Sequence, residues 1–179
     1  MRRMLGALVL FLAGCVTVPW QGVDARVAAP ESFTLAGRFF LVSPRGALSG
    51  GLRWSHSLGE DDLMLLTPGG QGIAHLVRTA SGVELTTPES SYRGADTASM
   101  IRQAVGLEVS LEDLSHWLLG RPAPGSDGAV EGASLRQGAW RVELPGADAQ
   151  GGLIFPGKLV ARGNETELRL VVDEWNRLP

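Results

Sequence analysis

From Phe33 onward, apolar positions fall into short, mostly alternating runs broken by glycine and proline, the pattern of half-buried strands. Phe33-Thr34-Leu35-Ala36 and Arg38 to Val42 make one strand region, with Gly37 as a bulge or bend. Ser43-Pro44-Arg45-Gly46 is a turn by composition. Gly51-Leu52-Arg53-Trp54-Ser55 alternates, and Asp62 to Thr67 is a compact apolar strand. Pro68-Gly69-Gly70 turns the chain into Gly72 to Arg78, and Ser81-Gly82 turns it again before Val83 to Thr86. With a short strand around Ser91-Tyr92-Arg93, these predict five or six strands in an antiparallel meander.

The middle of the chain changes period. Asp96 is placed to cap a helix over Thr97 to Val105, which Gly106 ends. Ser110, with Asp113 three residues on, caps a second helix over Leu111 to Leu119, stopped by Gly120. Leu111, Leu114, Trp117 and Leu118 share one face of that helix. Arg121-Pro122-Ala123-Pro124-Gly125 breaks it. Strand patterns resume over Ala133 to Gln137, Ala139 to Leu144, Gly152 to Phe155, Lys158 to Arg162 and Glu167 to Trp175. The expected architecture is mainly β: one curved antiparallel sheet with helices against one face, a single domain over residues 31–179.

The amino terminus has a different grammar. Arg2 and Arg3 precede the short apolar run Met4 to Ala13, the layout of a secretory signal. That run falls short of the roughly 20 apolar residues a spanning helix needs. Leu12-Ala13-Gly14-Cys15 resembles a bacterial lipobox, which implies cleavage after residue 14 and acylation of Cys15. The alternative is a small buried cysteine after an ordinary signal. Several acyl chains hold a protein stably in a membrane where a single chain does not. In the bacterial sorting scheme this resembles, an aspartate after the cysteine would favour inner-membrane retention, so Val16 leans towards the outer membrane, at its periplasmic face. Residues 15–30 lack a sustained apolar stripe and read as a flexible tether, with room for one helical turn around Asp24 to Ala28. Fifteen extended residues span at most about 50 Å.

The mature chain would run to about 165 residues, enough for one real core. Without Arg2 and Arg3, 14 basic residues face 19 acidic ones, and the balance moves from −3 to −5. That argues against a nucleic-acid binder, which needs a concentrated basic patch. The single cysteine excludes an internal disulfide. The 24 glycines and 10 prolines suit many short strands and turns.

Signals for chemistry are weak. His56, His75 and His116 are spread over two expected strands and a helix, in no metal-ligand spacing, so structural roles are expected. Glu60-Asp61-Asp62 beside Gly59 reads as a solvated hairpin turn. Pro68-Gly69-Gly70-Gln71-Gly72 lacks the lysine and hydroxyl ending of a phosphate loop. No Gly-x-Ser-x-Gly elbow occurs, and Asn164-Glu165-Thr166 matches a glycosylation triplet by accident. No catalytic residue, metal or cofactor is expected. Trp54, Trp117, Trp140 and Trp175 remain, and they either fill an ordinary core or line an apolar cavity between sheet and helices.

The ordered segments together resemble the LolB family, outer-membrane receptors that accept lipoproteins from the periplasmic carrier LolA. The resemblance is carried by Phe33-Thr34-Leu35-Ala36-Gly37-Arg38-Phe39, Leu52-Arg53-Trp54, Asp62 to Gly70 and the Tyr92 segment. Trp117-Leu118-Leu119-Gly120-Arg121-Pro122 is its most specific piece, followed by Leu135 to Val142 and Leu168 to Trp175. The family implies an unclosed antiparallel β-barrel with two or three helices covering an apolar cavity for acyl chains. It implies transfer by a monomer, without cofactor or bond-making, from a LolA-type carrier to outer-membrane lipid. On that resemblance Trp54, Leu65, Met100, Trp117, Leu118, Trp140 and Ile154 are the candidate cavity contacts. Pro68, Gly69 and Gly70 form the candidate membrane-insertion loop, with Gly69 where the family usually carries an exposed leucine. Other readings are a lipoprotein that binds free lipid and a ligand-free structural lipoprotein, with an enzyme more distant.

Overall fold

A computed structural model describes residues 32–132, 134–145, 148–150 and 153–177. The lipobox, Cys15 and the tether lie outside the described residues. Six strands come first: β1 (Phe33–Ser43), β2 (Gly46–Ser57), β3 (Glu60–Leu66), β4 (Gly72–Thr79), β5 (Gly82–Thr86) and β6 (Ser91–Gly94). Helices α1 (Thr97–Val105) and α2 (Leu111–Leu118) follow. The chain then returns to strands: β7 (Ala129–Glu131), β8 (Ser134–Gln137), β9 (Trp140–Glu143), β10 (Asp148–Gln150), β11 (Leu153–Phe155), β12 (Lys158–Gly163) and β13 (Thr166–Arg177). Eleven strands form one antiparallel sheet in the order β6-β5-β4-β3-β2-β1-β13-β12-β9-β8-β7. Its outer strands β6 and β7 do not pair with each other, so the barrel stays open, and β10 and β11 make a separate ribbon.

The bend expected at Gly37 is a break in register between β1 and β13. Ala36 faces Glu174 but Gly37 faces Val172, which leaves Asp173 as the extra residue. A Cβ on Gly37 would stand 2.1 Å from the Val171 carbonyl oxygen, so a side chain does not fit there. The extra residue flips the parity of β13. Leu168, Leu170 and Val172 are buried before it, and Trp175 packs against the core after it. Asp173 lands on the outer face, where Arg38 meets it at 2.8 Å. Gly50 is the second close approach, with its absent Cβ 1.8 Å from the Leu66 carbonyl oxygen.

Both helices begin where local chemistry predicts. The Asp96 side chain accepts from Ser99 N at 2.8 Å, and Gly106 closes α1 in the left-handed region at φ 77°. Ser110 and Asp113 make a reciprocal capping box at α2. Leu111, Leu114, Trp117 and Leu118 are all buried, as one helical face requires. Leu111 N donates to Thr97 Oγ1 at 3.1 Å and ties the two helix starts together. Two strands carry no sequence signal the pattern could use. β7 has no buried residue, and β10 is three residues long.

Candidate functional site

The concave side of the sheet and the two helices enclose an apolar cavity of about 60 Å³. Strand alternation supplies its walls: Phe39 and Leu41 from β1, Leu52 and Trp54 from β2, Leu63 and Leu65 from β3, Ala74 and Leu76 from β4, Leu85 from β5, and Leu168 and Leu170 from β13. Ile101, Ala104 and Val105 of α1, Leu107 of the connection, and Leu111 and Leu114 of α2 form the roof. Every lining residue is apolar, so water gains no partner inside and a cavity of this kind stays dry. It is smaller than the roughly 150 Å³ hole that accommodates a benzene molecule in a protein core. In α1, Ala104 and Val105 are half-buried, and Arg45 Nη1 donates to the Arg102 carbonyl at 3.0 Å near the end of the helix.

The expected contacts divide between two places. Trp54 and Leu65 line the cavity. Met100, Trp117, Leu118 and Trp140 are buried but not in its wall. Met100 packs against the backbone of Gly94. Trp117 and Trp140 face each other with ring centroids 5.8 Å apart, which locks α2 onto β8 and β9. Gln137 organises that second cluster. Its Oε1 accepts from Trp117 Nε1 at 3.1 Å and Ala123 N at 2.8 Å, and its Nε2 donates to Asp113 at 2.5 Å. Ile154 sits on β11 in the separate ribbon, opposite Ala149, with its side chain outside the described residues. Sequence reasoning passed over most of the wall. Once Trp54 points inward, period two puts Leu52 inward as well, and the antiparallel register brings Leu63 opposite Trp54.

Glu60-Asp61-Asp62 is not the solvated turn the sequence suggested. The turn is Leu58-Gly59, and Asp61 is buried inside β3 at 2 % exposure. Asp61 Oδ1 accepts from Trp54 Nε1 at 2.9 Å and lies 2.6 Å from His56 Nδ1. Its Oδ2 accepts from Arg78 Nε at 2.5 Å. A local pattern presents this charge as a surface one because it cannot register three partners brought in from β2 and β4. His75 pairs with exposed Asp62 at 2.9 Å, and His116 Nδ1 lies 2.8 Å from the Glu112 carbonyl, both structural contacts.

The Pro68-Gly69-Gly70 loop is exposed and tightly closed. Thr67 N donates to the Gln71 carbonyl at 2.7 Å, Gly70 N to the Thr67 carbonyl at 2.9 Å, and Gln71 N to Thr67 Oγ1 at 3.1 Å. After α2, Gly120 turns the chain at φ 71°. Arg121 Nε is buried there without an acceptor among the described residues, and that burial pushes the guanidinium below its ordinary pKa.

Comparison with known proteins fits this architecture. The family model for outer membrane lipoprotein LolB matches residues 31–175. The outer-membrane lipoprotein LolB of Thiobacillus denitrificans is 36% identical over 191 residues, spanning 100% of both chains. That of Nitrosomonas europaea is 30% identical and covers 97% of this chain and 92% of its own. That of Vibrio cholerae is 28% identical, covering 99% and 98%. Among solved structures, a putative outer membrane lipoprotein-sorting protein domain from Vibrio parahaemolyticus superposes at TM-score 0.55 with 9% identity, covering 85% of this chain and 87% of its own. A LolA superfamily protein from Nitrosomonas europaea superposes at 0.50 with 11% identity, covering 85% and 89%. At such identities the two structures speak for the fold alone. The family match over the whole barrel, with a relative more than one-third identical end to end, settles the assignment: this chain belongs to the outer membrane lipoprotein LolB family.

Proposed function

We propose that this protein is anchored through an acylated Cys15 at the periplasmic face of the outer membrane and accepts lipoproteins there from a LolA-type carrier. It works as a monomer, makes no bond and is not an enzyme. The observation that supports this reading is the apolar cavity roofed by α1 and α2, with no polar residue in its wall among the described residues. Acyl chains enter as α1 lifts, the apolar roof closes on them, and they leave for outer-membrane lipid. The direction follows from differential affinity, each host offering the chains a better apolar environment than the last. The Pro68-Gly69-Gly70 loop brings no apolar side chain larger than proline to the delivery step.

The test is transfer of radiolabelled lipoprotein from a loaded carrier to a soluble version of the chain beginning after Cys15. Label moving onto the chain is the expected result. A folded chain that receives none from an active carrier overturns the acceptor reading. Free phospholipid copurifying with such a chain would make it a lipid binder. The small resting volume of the cavity favours a second reading, a ligand-free structural lipoprotein, in which neither label nor lipid binds.

A further inference from the structure

We infer that Leu58, at the tip of the β2–β3 hairpin, rests in the periplasm-facing leaflet of the bilayer to which the chain is anchored, and that it sets the orientation of the barrel. Leu58 is 85 % exposed, whereas the other exposed large apolar side chains among the described residues, Phe40, Val42, Tyr92 and Val130, lie near 40 %. The turn itself asks for Gly59, at φ +90°, and not for an apolar residue before it. A polar side chain would serve the hairpin equally well. Isolated exposed leucines are common and by themselves mean little. What gives this one a partner is where the chain enters the domain. Phe33 pairs with His56, so the first strand begins two residues from the hairpin tip, about 7 Å along the strand. The stretch between Cys15 and Phe33 spans at most about 60 Å and ends beside Leu58.

An acyl anchor therefore holds this end of the barrel at high effective concentration near the lipid surface. A single leucine is too weak to recruit a protein from solution, but it is enough to bias the orientation of one already tethered. The other tip of β3 lies a strand length further off, about 20 Å, and carries Pro68, Gly69 and Gly70 with no side chain to insert. With Leu58 at the bilayer, the Pro68-Gly69-Gly70 end points into the periplasm.

This inference rests on the anchoring at Cys15, and its test reads the two separately. Acylation consumes the only native thiol, so Leu58→Cys and Gly69→Cys in the full acylated chain each provide one site for an environment-sensitive fluorophore. The labelled proteins are placed in vesicles of phosphatidylethanolamine and phosphatidylglycerol, and flotation reports the anchor. The expected result is a blue-shifted emission, quenched by brominated acyl chains, at position 58 and a water-exposed emission at position 69. A chain that floats but is unquenched at 58, or equally quenched at both positions, overturns the inference and leaves the anchor standing. A chain that does not float removes the anchor, and the inference falls with it. Leu58→Ser, which alters no packed contact, should leave unfolding unchanged, so any change in orientation it causes is not a folding defect.

Discussion

Trp54 donates its indole N–H to Asp61 across the β2–β3 pair at 2.9 Å, and both residues are 2 % exposed. The bond joins the cavity wall to a buried charge. One side of Trp54 faces the apolar hollow, and its polar atom is held by the carboxylate that also takes Arg78 and His56. Phe33 packs edge-on against Trp54 with centroids 5.2 Å apart and holds Trp175 at 5.3 Å, so charge and aromatic cluster share one end of the barrel.

Removing the carboxylate should therefore be costly. Asp61→Ala leaves Arg78 partly buried and uncompensated and Trp54 Nε1 without an acceptor, a loss of about 3–5 kcal/mol. Urea unfolding monitored by tryptophan fluorescence will measure it. A loss below about 1 kcal/mol, the size of an exposed ion pair, would show that the network contributes no more than a surface pair.

The cavity can be enlarged or filled independently. Leu76→Ala should cost about 2–5 kcal/mol of stability and widen the hollow. Ala104→Phe, on the half-buried face of α1, should fill it at a smaller cost of about 1–3 kcal/mol. The expected pattern in lipoprotein transfer is retention by the widened variant and loss by the filled one at temperatures where both remain folded. Equal transfer by both would place acyl binding elsewhere.

Gly50 and Gly69 make opposite predictions although each is a glycine beside β3. Gly50→Ala drives a methyl group into the Leu66 carbonyl and cannot relax without moving backbone, so a large drop in thermal stability is expected. Gly69→Leu meets only Thr67 Oγ1 at 3.7 Å and should leave the midpoint unchanged while adding an apolar side chain to the loop. If the loop delivers cargo, Gly69→Leu will speed incorporation of accepted lipoprotein into vesicles. Unchanged incorporation would mean the step does not pass through that loop.

Stability should also fall on the acid side through Glu167. Arg162 and Arg169 both donate to this carboxylate from the outer face, holding its pKa below the ordinary glutamate value. The lowered value means the folded state favours the ionised form. The contribution is present above the ordinary value and is lost as pH falls through the depressed one. The group is only half-buried and solvent screens it, so the effect is modest. Glu167→Gln should flatten that limb of a stability–pH curve, and an unchanged slope would assign the acid loss to other carboxylates.

Much of this was written in local sequence. The caps at Asp96 and Ser110, the face of α2, the stop at Gly106 and the bend at Gly37 each depend on residues within one turn or one strand, and local sterics and hydrogen bonding fix them. Period two also determined that Trp54 and Leu65 could face a common interior. Tertiary structure decided which buried residues form the hollow and which only fill space. Trp54 and Trp117 look alike in sequence, yet the first lines the cavity and the second is bound to Gln137 and packed at a tilt against Trp140. The same holds for Asp61, whose partners lie on two other strands and are aligned with it only after the sheet registers. Local pattern records which face a residue is on, whereas burial of a charge or the emptiness of a space is a sum over neighbours distant in the chain, and only the folded sheet supplies them.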